Sequence, residues 1–126
     1  MITLEHVRRL HTLSIERFGG SHGVRDFGML ESACIRPYQT FGGEALYTTA
    51  IEKAAAIAES LIMNHPFIDG NKRTGFLAMF ALLNDEGIEL TATEDEAYDF
   101  TINISTGSIA FEEIVEWLKE NTIALK

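Results

Sequence analysis

The sequence predicts an all-α fold, a compact bundle of about six helices with a buried central one, and three observations carry that expectation. Apolar residues recur at helical spacing in window after window. Most of these windows open on a Thr or Asp able to cap a helix and close on glycine or proline. One stretch, Phe76-Leu77-Ala78-Met79-Phe80-Ala81-Leu82-Leu83, is apolar at every position, which suits a helix in the middle of a bundle.

Thr3 is placed to cap a first helix, with Val7, Leu10, Ser14 and Phe18 on one face and Leu13 beside it; Gly19-Gly20 ends it. A loop from Ser21 to Arg25 leads to Asp26, the cap of a second helix. That helix turns Met29, Leu30, Ala33 and Cys34 inward and stops at Pro37. From Pro37 to Tyr47 the helical pattern lapses. The run Phe41-Gly42-Gly43-Glu44-Ala45-Leu46 sets a glycine pair between short apolar flanks and reads as a small β-hairpin flap.

Thr49-Ala50-Ile51-Glu52 is a capping box. The third helix it opens runs through Ala54, Ala55, Ala58, Leu61 and Ile62 to Asn64, where Pro66 disfavours continuation past His65. Its alanine-rich segment implies close approach by a neighbouring helix. The central helix extends from about Asn71 to Glu86, with Gly87 as its stop. Ile88-Glu89-Leu90 is a short connector. Thr93 and Glu96 form a second capping box, on a helix that buries Ala97, Phe100 and Ile104 and closes at Gly107. A last helix sets Phe111, Ile114, Val115 and Leu118 on one stripe, with Trp117 beside it.

A chain of 126 residues is expected to form a single domain, and 46% hydrophobic with 23% charged residues is ordinary for a soluble globule. The net charge of −9 argues against direct nucleic-acid binding, which draws on Lys and Arg meeting phosphates. The one cysteine, Cys34, excludes an intrachain disulfide and a cysteine metal site and reads as a core residue. No apolar run is long enough to span a membrane and the N-terminus lacks a signal-peptide profile, so a cytoplasmic location with no membrane partner is expected. His6 and His11, five positions apart, do not share a helical face at ligand spacing. With His22 they read as surface or core residues. Glu94, Asp95, Glu96 and Asp99 read as a solvated acidic face.

The densest chemistry lies in His65-Pro66-Phe67-Ile68-Asp69-Gly70-Asn71-Lys72-Arg73-Thr74-Gly75, directly before the apolar run. It is therefore the loop that feeds the N-terminus of the central helix, where unpaired N–H groups and the helix dipole make an anion seat. Gly70 lets a ligand approach the backbone, and Asn71 can cap the helix or donate its amide to the anion. Lys72 and Arg73 oppose the dipole, so their charge needs another purpose, which a polyanion supplies. His65 can take a proton from a hydroxyl. Asp69 is a reasonable Mg²⁺ ligand beside phosphates. Together these residues describe a nucleotide-phosphate site with a general base, built without the GxxxxGK[ST] loop.

The run His65–Thr74 resembles the signature of the Fic/Doc superfamily. Gly23-Val24-Arg25-Asp26, Leu30-Glu31-Ser32-Ala33, Arg36-Pro37, Leu46-Tyr47 and Glu52-Lys53-Ala54-Ala55-Ala56 are similar to its death-on-curing (Doc) toxin branch. The likeness spans nearly the whole chain and weakens after Leu90. It implies an all-α fold, a catalytic base at His65, Mg²⁺ held by Asp69, and an anion hole with a charged rim from Gly70, Asn71, Lys72 and Arg73. It also implies a flap at Phe41, Gly42, Gly43, Glu44, Ala45 and Leu46 that pairs with an extended target segment. The AMP-transferring branch has glycine after the asparagine and a second arginine three positions past the first; Lys72 and Phe76 stand there.

These departures are those of the Doc branch. They imply a kinase-like enzyme that moves the γ-phosphoryl of ATP, with Lys72 among its catalytic groups, to a threonine of elongation factor Tu and so arrests translation. AMP transfer and a non-catalytic nucleotide- or phosphopeptide-binding module are the alternatives. The self-inhibitory [ST]xxxE[GN] motif is absent, because Lys53 follows Glu52. The resemblance therefore implies a separate antitoxin of the prevent-host-death type.

Overall fold

The computed structural model describes residues 1–125. Thr3, Asp26, Thr49 and Thr93 each accept the N–H three residues on, and each opens a helix. The helices are α1 (Leu4–Phe18), α2 (Phe27–Ile35), α3 (Ala50–Asn64), α4 (Asn71–Asp85), α5 (Glu94–Ser105) and α6 (Phe111–Glu120). A single 3₁₀ turn, Arg36–Tyr38, carries Pro37 in its first turn, where a missing N–H is tolerated. The all-α reading and the count of six helices therefore hold among the described residues. None of these helices is long and apolar enough to cross a membrane.

The core is built around α3. Ala54, Ala55, Ala56, Ile57, Ala58 and Leu61 are all fully buried, and the small side chains let α4 approach closely. Gly75 marks the tightest point: a Cβ there would lie 2.5 Å from Ile62 Cγ1 and 3.4 Å from the carbonyl oxygen of Ala58. Cys34 belongs to this core, as expected, and burial pushes its thiol up to about 11.

The flap is a two-stranded antiparallel ribbon, β1 (Thr40–Phe41) with β2 (Glu44–Ala45), in the register Thr40↔Ala45 and Phe41↔Glu44. Gly42 and Gly43 both have positive φ (61° and 84°), the backbone a two-residue hairpin turn requires. Leu46 N–H extends the ladder to Gln39 O at 3.0 Å. The root of the flap is pinned to α3 through Arg36, which donates to Tyr47 Oη and Ser60 Oγ, both at 2.9 Å, and pairs with Glu59 at 3.0 Å.

Four expectations are corrected. Ile88-Glu89-Leu90 is not a bare connector but strand β3, paired antiparallel with β4 (Thr122–Ala124). On α1 the buried face is Val7, His11, Ser14 and Ile15, whereas Leu13 and Phe18 are exposed. The helix is rotated because its two buried polar groups are hydrogen-bonded to the loop and to α4, as described below. Met29 is exposed on α2. The central helix is not greasy on all sides in effect. Phe80 is exposed and Phe76 half-buried, and a groove of about 500 Å³ between α4 and α5 is lined by Phe76, Phe80, Ala97 and Tyr98, and also by Lys72 and Arg73.

Candidate active site

α3 ends at Asn64, and the C-cap residue is His65, in the left-handed region at φ 49°, ψ 57°. It is the one non-glycine residue with positive φ among the described residues. Such a conformation costs roughly 1–2 kcal/mol, so the surroundings must fix it. Its imidazole is exposed and makes no hydrogen bond to the described residues, so the ring is open to solvent.

Downstream the loop closes on itself. Asn71 Nδ2 donates to Phe67 O, and Phe67 N–H donates to Asn71 Oδ1, both at 2.9 Å. The Asn71 amide therefore shapes the loop, and what this residue offers an anion is its main-chain N–H. The helix N-cap is Gly70, with φ 76°. Phe67 is buried and its ring stacks on His11, with centroids 3.8 Å apart and planes 6° from parallel.

Asp69 is held from three sides. Its main-chain oxygen accepts from His11 Nε2–H at 2.8 Å; that partner assigns the ring proton to Nε2. Its carboxylate accepts from Ser21 N–H at 3.1 Å and Gly70 N–H at 2.8 Å. These two main-chain donors hold the exposed carboxyl below its usual range. Gly20 leaves the space: a Cβ there would sit 2.6 Å from Asp69 Oδ2. Burial holds His11 below the ordinary histidine range, outweighing its bond to Asp69 O.

At the mouth of α4 the first helical bond runs from Thr74 N–H to Gly70 O at 2.9 Å, which leaves the N–H groups of Asn71, Lys72 and Arg73 ahead of it. Lys72 is exposed and forms no ion pair among the described residues. Arg73 has a structural task as well. Its Nη1 donates to Ser14 O (3.1 Å) and Ser14 Oγ (3.2 Å), and its guanidinium lies over the Phe18 ring at 5.0 Å. The cation thus faces the C-terminal turn of α1, where the helix dipole favours it. Its other guanidinium donors, Nε and Nη2, make no hydrogen bond to the described residues.

The loop thus brings His65, Asp69, Gly70, Asn71, Lys72 and Arg73 into one continuous segment. No three His, Cys, Asp or Glu side chains converge on a metal position among the described residues. A lone exposed carboxylate beside free N–H groups still fits Mg²⁺, which takes one or two carboxylates and completes its shell with phosphate oxygens and water. Glu52 is occupied by the α3 capping box and by Thr48 Oγ1 at 3.1 Å. All six flap residues, Phe41 to Leu46, are exposed. His11, Gly20 and Ser21 escaped the sequence reading as site residues. His11 lies 58 positions from Asp69, and nothing local to either residue signals the contact.

Residues 1–83 match the model of the Fic/DOC family. Toxin Doc of Mycolicibacterium smegmatis is 38% identical over 99 residues, which cover 77% of this chain and 76% of that protein. Protein kinase doc of Escherichia phage P1 is 28% identical over 118 residues, covering 94% of this chain and 92% of that one. The family match takes in the His65–Gly75 loop, α3 before it and α4 as far as Leu83, so the motif and the relatives agree: the chain belongs to the Fic/DOC family.

Proposed function

We propose that this protein is the toxin of a toxin–antitoxin pair, a single-domain cytoplasmic enzyme that transfers the γ-phosphoryl of ATP to a hydroxyl of a protein target. The target inferred from the family likeness is a threonine of elongation factor Tu, with translation arrest as the consequence. The observation that carries this reading is the mouth of α4. The N–H groups of Asn71, Lys72 and Arg73 precede the first helical bond, Lys72 forms no ion pair among the described residues, and the same loop carries the exposed His65 and the Asp69 carboxylate.

Each group has a role that its position allows. His65 accepts the proton of the target hydroxyl as that oxygen bonds to the γ-phosphorus. The bond from the γ-phosphorus to the bridging oxygen breaks, and ADP leaves with the electron pair. The α4 N–H groups and Lys72 hold the phosphates and stabilise the charge that spreads over their oxygens. Asp69 would hold Mg²⁺, which neutralises phosphate charge when bound. The exposed edge of the flap aligns an extended target segment by main-chain pairing. Inhibition falls to a separate antitoxin, of the prevent-host-death type by the family likeness, because Lys53 after Glu52 breaks the self-inhibitory [ST]xxxE[GN] motif.

Phosphoryl transfer is favoured over AMP transfer by Phe76. This residue stands where the AMP-transferring branch has its second arginine, and it is an apolar wall of the α4–α5 groove with no donor for a phosphate. The name of the phage P1 relative, a protein kinase, supports the same choice. The test is ATP labelled separately at the α and γ positions, incubated with the protein and elongation factor Tu. Label from the γ position alone is expected on the target. Label from the α position alone contradicts the reading in favour of AMP transfer, and label from neither favours a binding module.

A further inference from the structure

His65 sits at the end of a helix in a backbone conformation that side chains rarely adopt, and something must hold it there. The segment between α1 and α2 does so. Arg25 N–H and Asp26 N–H both donate to Pro66 O, at 2.8 and 3.0 Å, and Ile68 N–H donates to Gly23 O at 3.0 Å. Val24 and Phe67 form an isolated antiparallel bridge. The loop of residues 23–26 therefore lies along the His65–Ile68 segment as a short backing strand. The same connection supplies Ser21 N–H to Asp69, so one segment contacts both ends of the reactive loop.

The Arg25 side chain completes the clamp. Its Nε–H donates to His65 O at 2.6 Å and its Nη2–H to Asn64 O at 2.8 Å. These carbonyls stand at the C-terminal end of α3, where the helix leaves oxygens unpaired and carries partial negative charge. A guanidinium is the side chain that can reach two such oxygens at once with its fixed fork of donors. We infer that Arg25 is a positioning residue for His65: by bridging the carbonyls of Asn64, the last residue of α3, and His65, its C-cap, it fixes the left-handed turn that presents the imidazole to the target hydroxyl. Arg25 touches neither the reacting atoms nor the anion seat and acts through the main-chain oxygens of Asn64 and His65. The inference rests on the reading of His65 as the base, but the geometry it asserts is testable without any turnover.

The test uses the full chain carrying Arg25→Ala, with Arg25→Gln as a second variant that keeps a donor if the alanine variant fails to fold. In ¹⁵N-histidine-labelled protein, the amide and ring resonances of His65 are expected to move in the variant while those of His6 stay in place. Transfer to the target is expected to fall roughly tenfold or more in kcat, as small misplacements of a reacting group do, with the affinity for ATP–Mg²⁺ unchanged. Methylguanidinium added to Arg25→Ala should restore part of the lost rate. Unmoved His65 resonances in a folded variant overturn the inference, whether or not the parent transfers phosphoryl groups. A parallel loss of kcat and ATP affinity also overturns it, since that places Arg25 on the nucleotide. Absence of transfer by the parent protein, with His65 resonances still displaced by the substitution, contradicts the proposed activity and leaves the positioning role standing.

Discussion

Replacing His65 with alanine is expected to lower phosphoryl transfer by about 10²–10⁴-fold, the range general-base removal gives. ATP–Mg²⁺ affinity and melting temperature should stay near those of the parent. The separation follows from where the side chain is. The imidazole is exposed and makes no hydrogen bond to the described residues, so its loss leaves no buried group unpaired. The proposed anion seat consists of the N–H groups of Asn71, Lys72 and Arg73, which the substitution does not touch. Alanine in a left-handed C-cap is no better placed than histidine, so a small decrease in stability is the most expected from the backbone. The measurements are transfer kinetics, growth arrest on expression, and a melting curve with and without ATP–Mg²⁺. Undiminished growth arrest by the variant would place toxicity elsewhere and favour the binding-module reading.

Gly75→Val is expected to cost about 3 kcal/mol, the upper part of the usual range for overpacking a well-filled core. Two effects compete. Valine is a better helix former than glycine by some tenths of a kcal/mol. Against that, its Cβ would start 2.5 Å from Ile62 Cγ1, with the Ala58 carbonyl only 3.4 Å away, and Ile62 is itself buried. Ile62 cannot swing out, so α3 and α4 must separate, and the clash dominates. At roughly 4 °C per kcal/mol for a chain of this size, the melting temperature should fall by about 12 °C. An effect on the proposed activity is expected as well, because α3 ends at His65 and α4 starts at the proposed anion seat. An unchanged melting temperature would show that this contact is looser than the structure has it.

Much of the fold was legible because the signals were local. Thr3, Asp26, Thr49 and Thr93 announce four helix starts by a side chain that reaches only three residues. The glycine pair at 42 and 43 announces a turn for the same reason. What failed was non-local. Strand β3 forms only because residues 122–124 return to pair with it. Ser14 was placed inward correctly, but part of the α1 face was misjudged, with Leu13 and Phe18 set inward where His11 and Ile15 belong. The partners that fix the helix rotation, Asp69 O for His11 and the Arg73 guanidinium for Ser14, lie 58 and 59 positions away.

The site shows the same division. The run His65–Arg73 is contiguous, so its chemistry could be read directly. The charges on Lys72 and Arg73 were grouped because both oppose the α4 dipole. The structure separates them: Arg73 faces the end of α1, while Lys72 stays free of ion pairs among the described residues. The supports of the loop, His11, Ser21 and Arg25, come from α1 and the segment after it. They are defined by contacts that no single window of sequence contains.

The claim on which all of this rests is that the first turn of α4 seats the phosphates of a nucleotide. The most direct measurement is a titration of ¹⁵N-labelled protein with ATP–Mg²⁺, followed by the backbone amide shifts. Saturable displacement centred on Gly70, Asn71, Lys72 and Arg73, with the amides of α6 unmoved, is the expected result. Saturation with those four amides in place, or no saturable change at all, would contradict it.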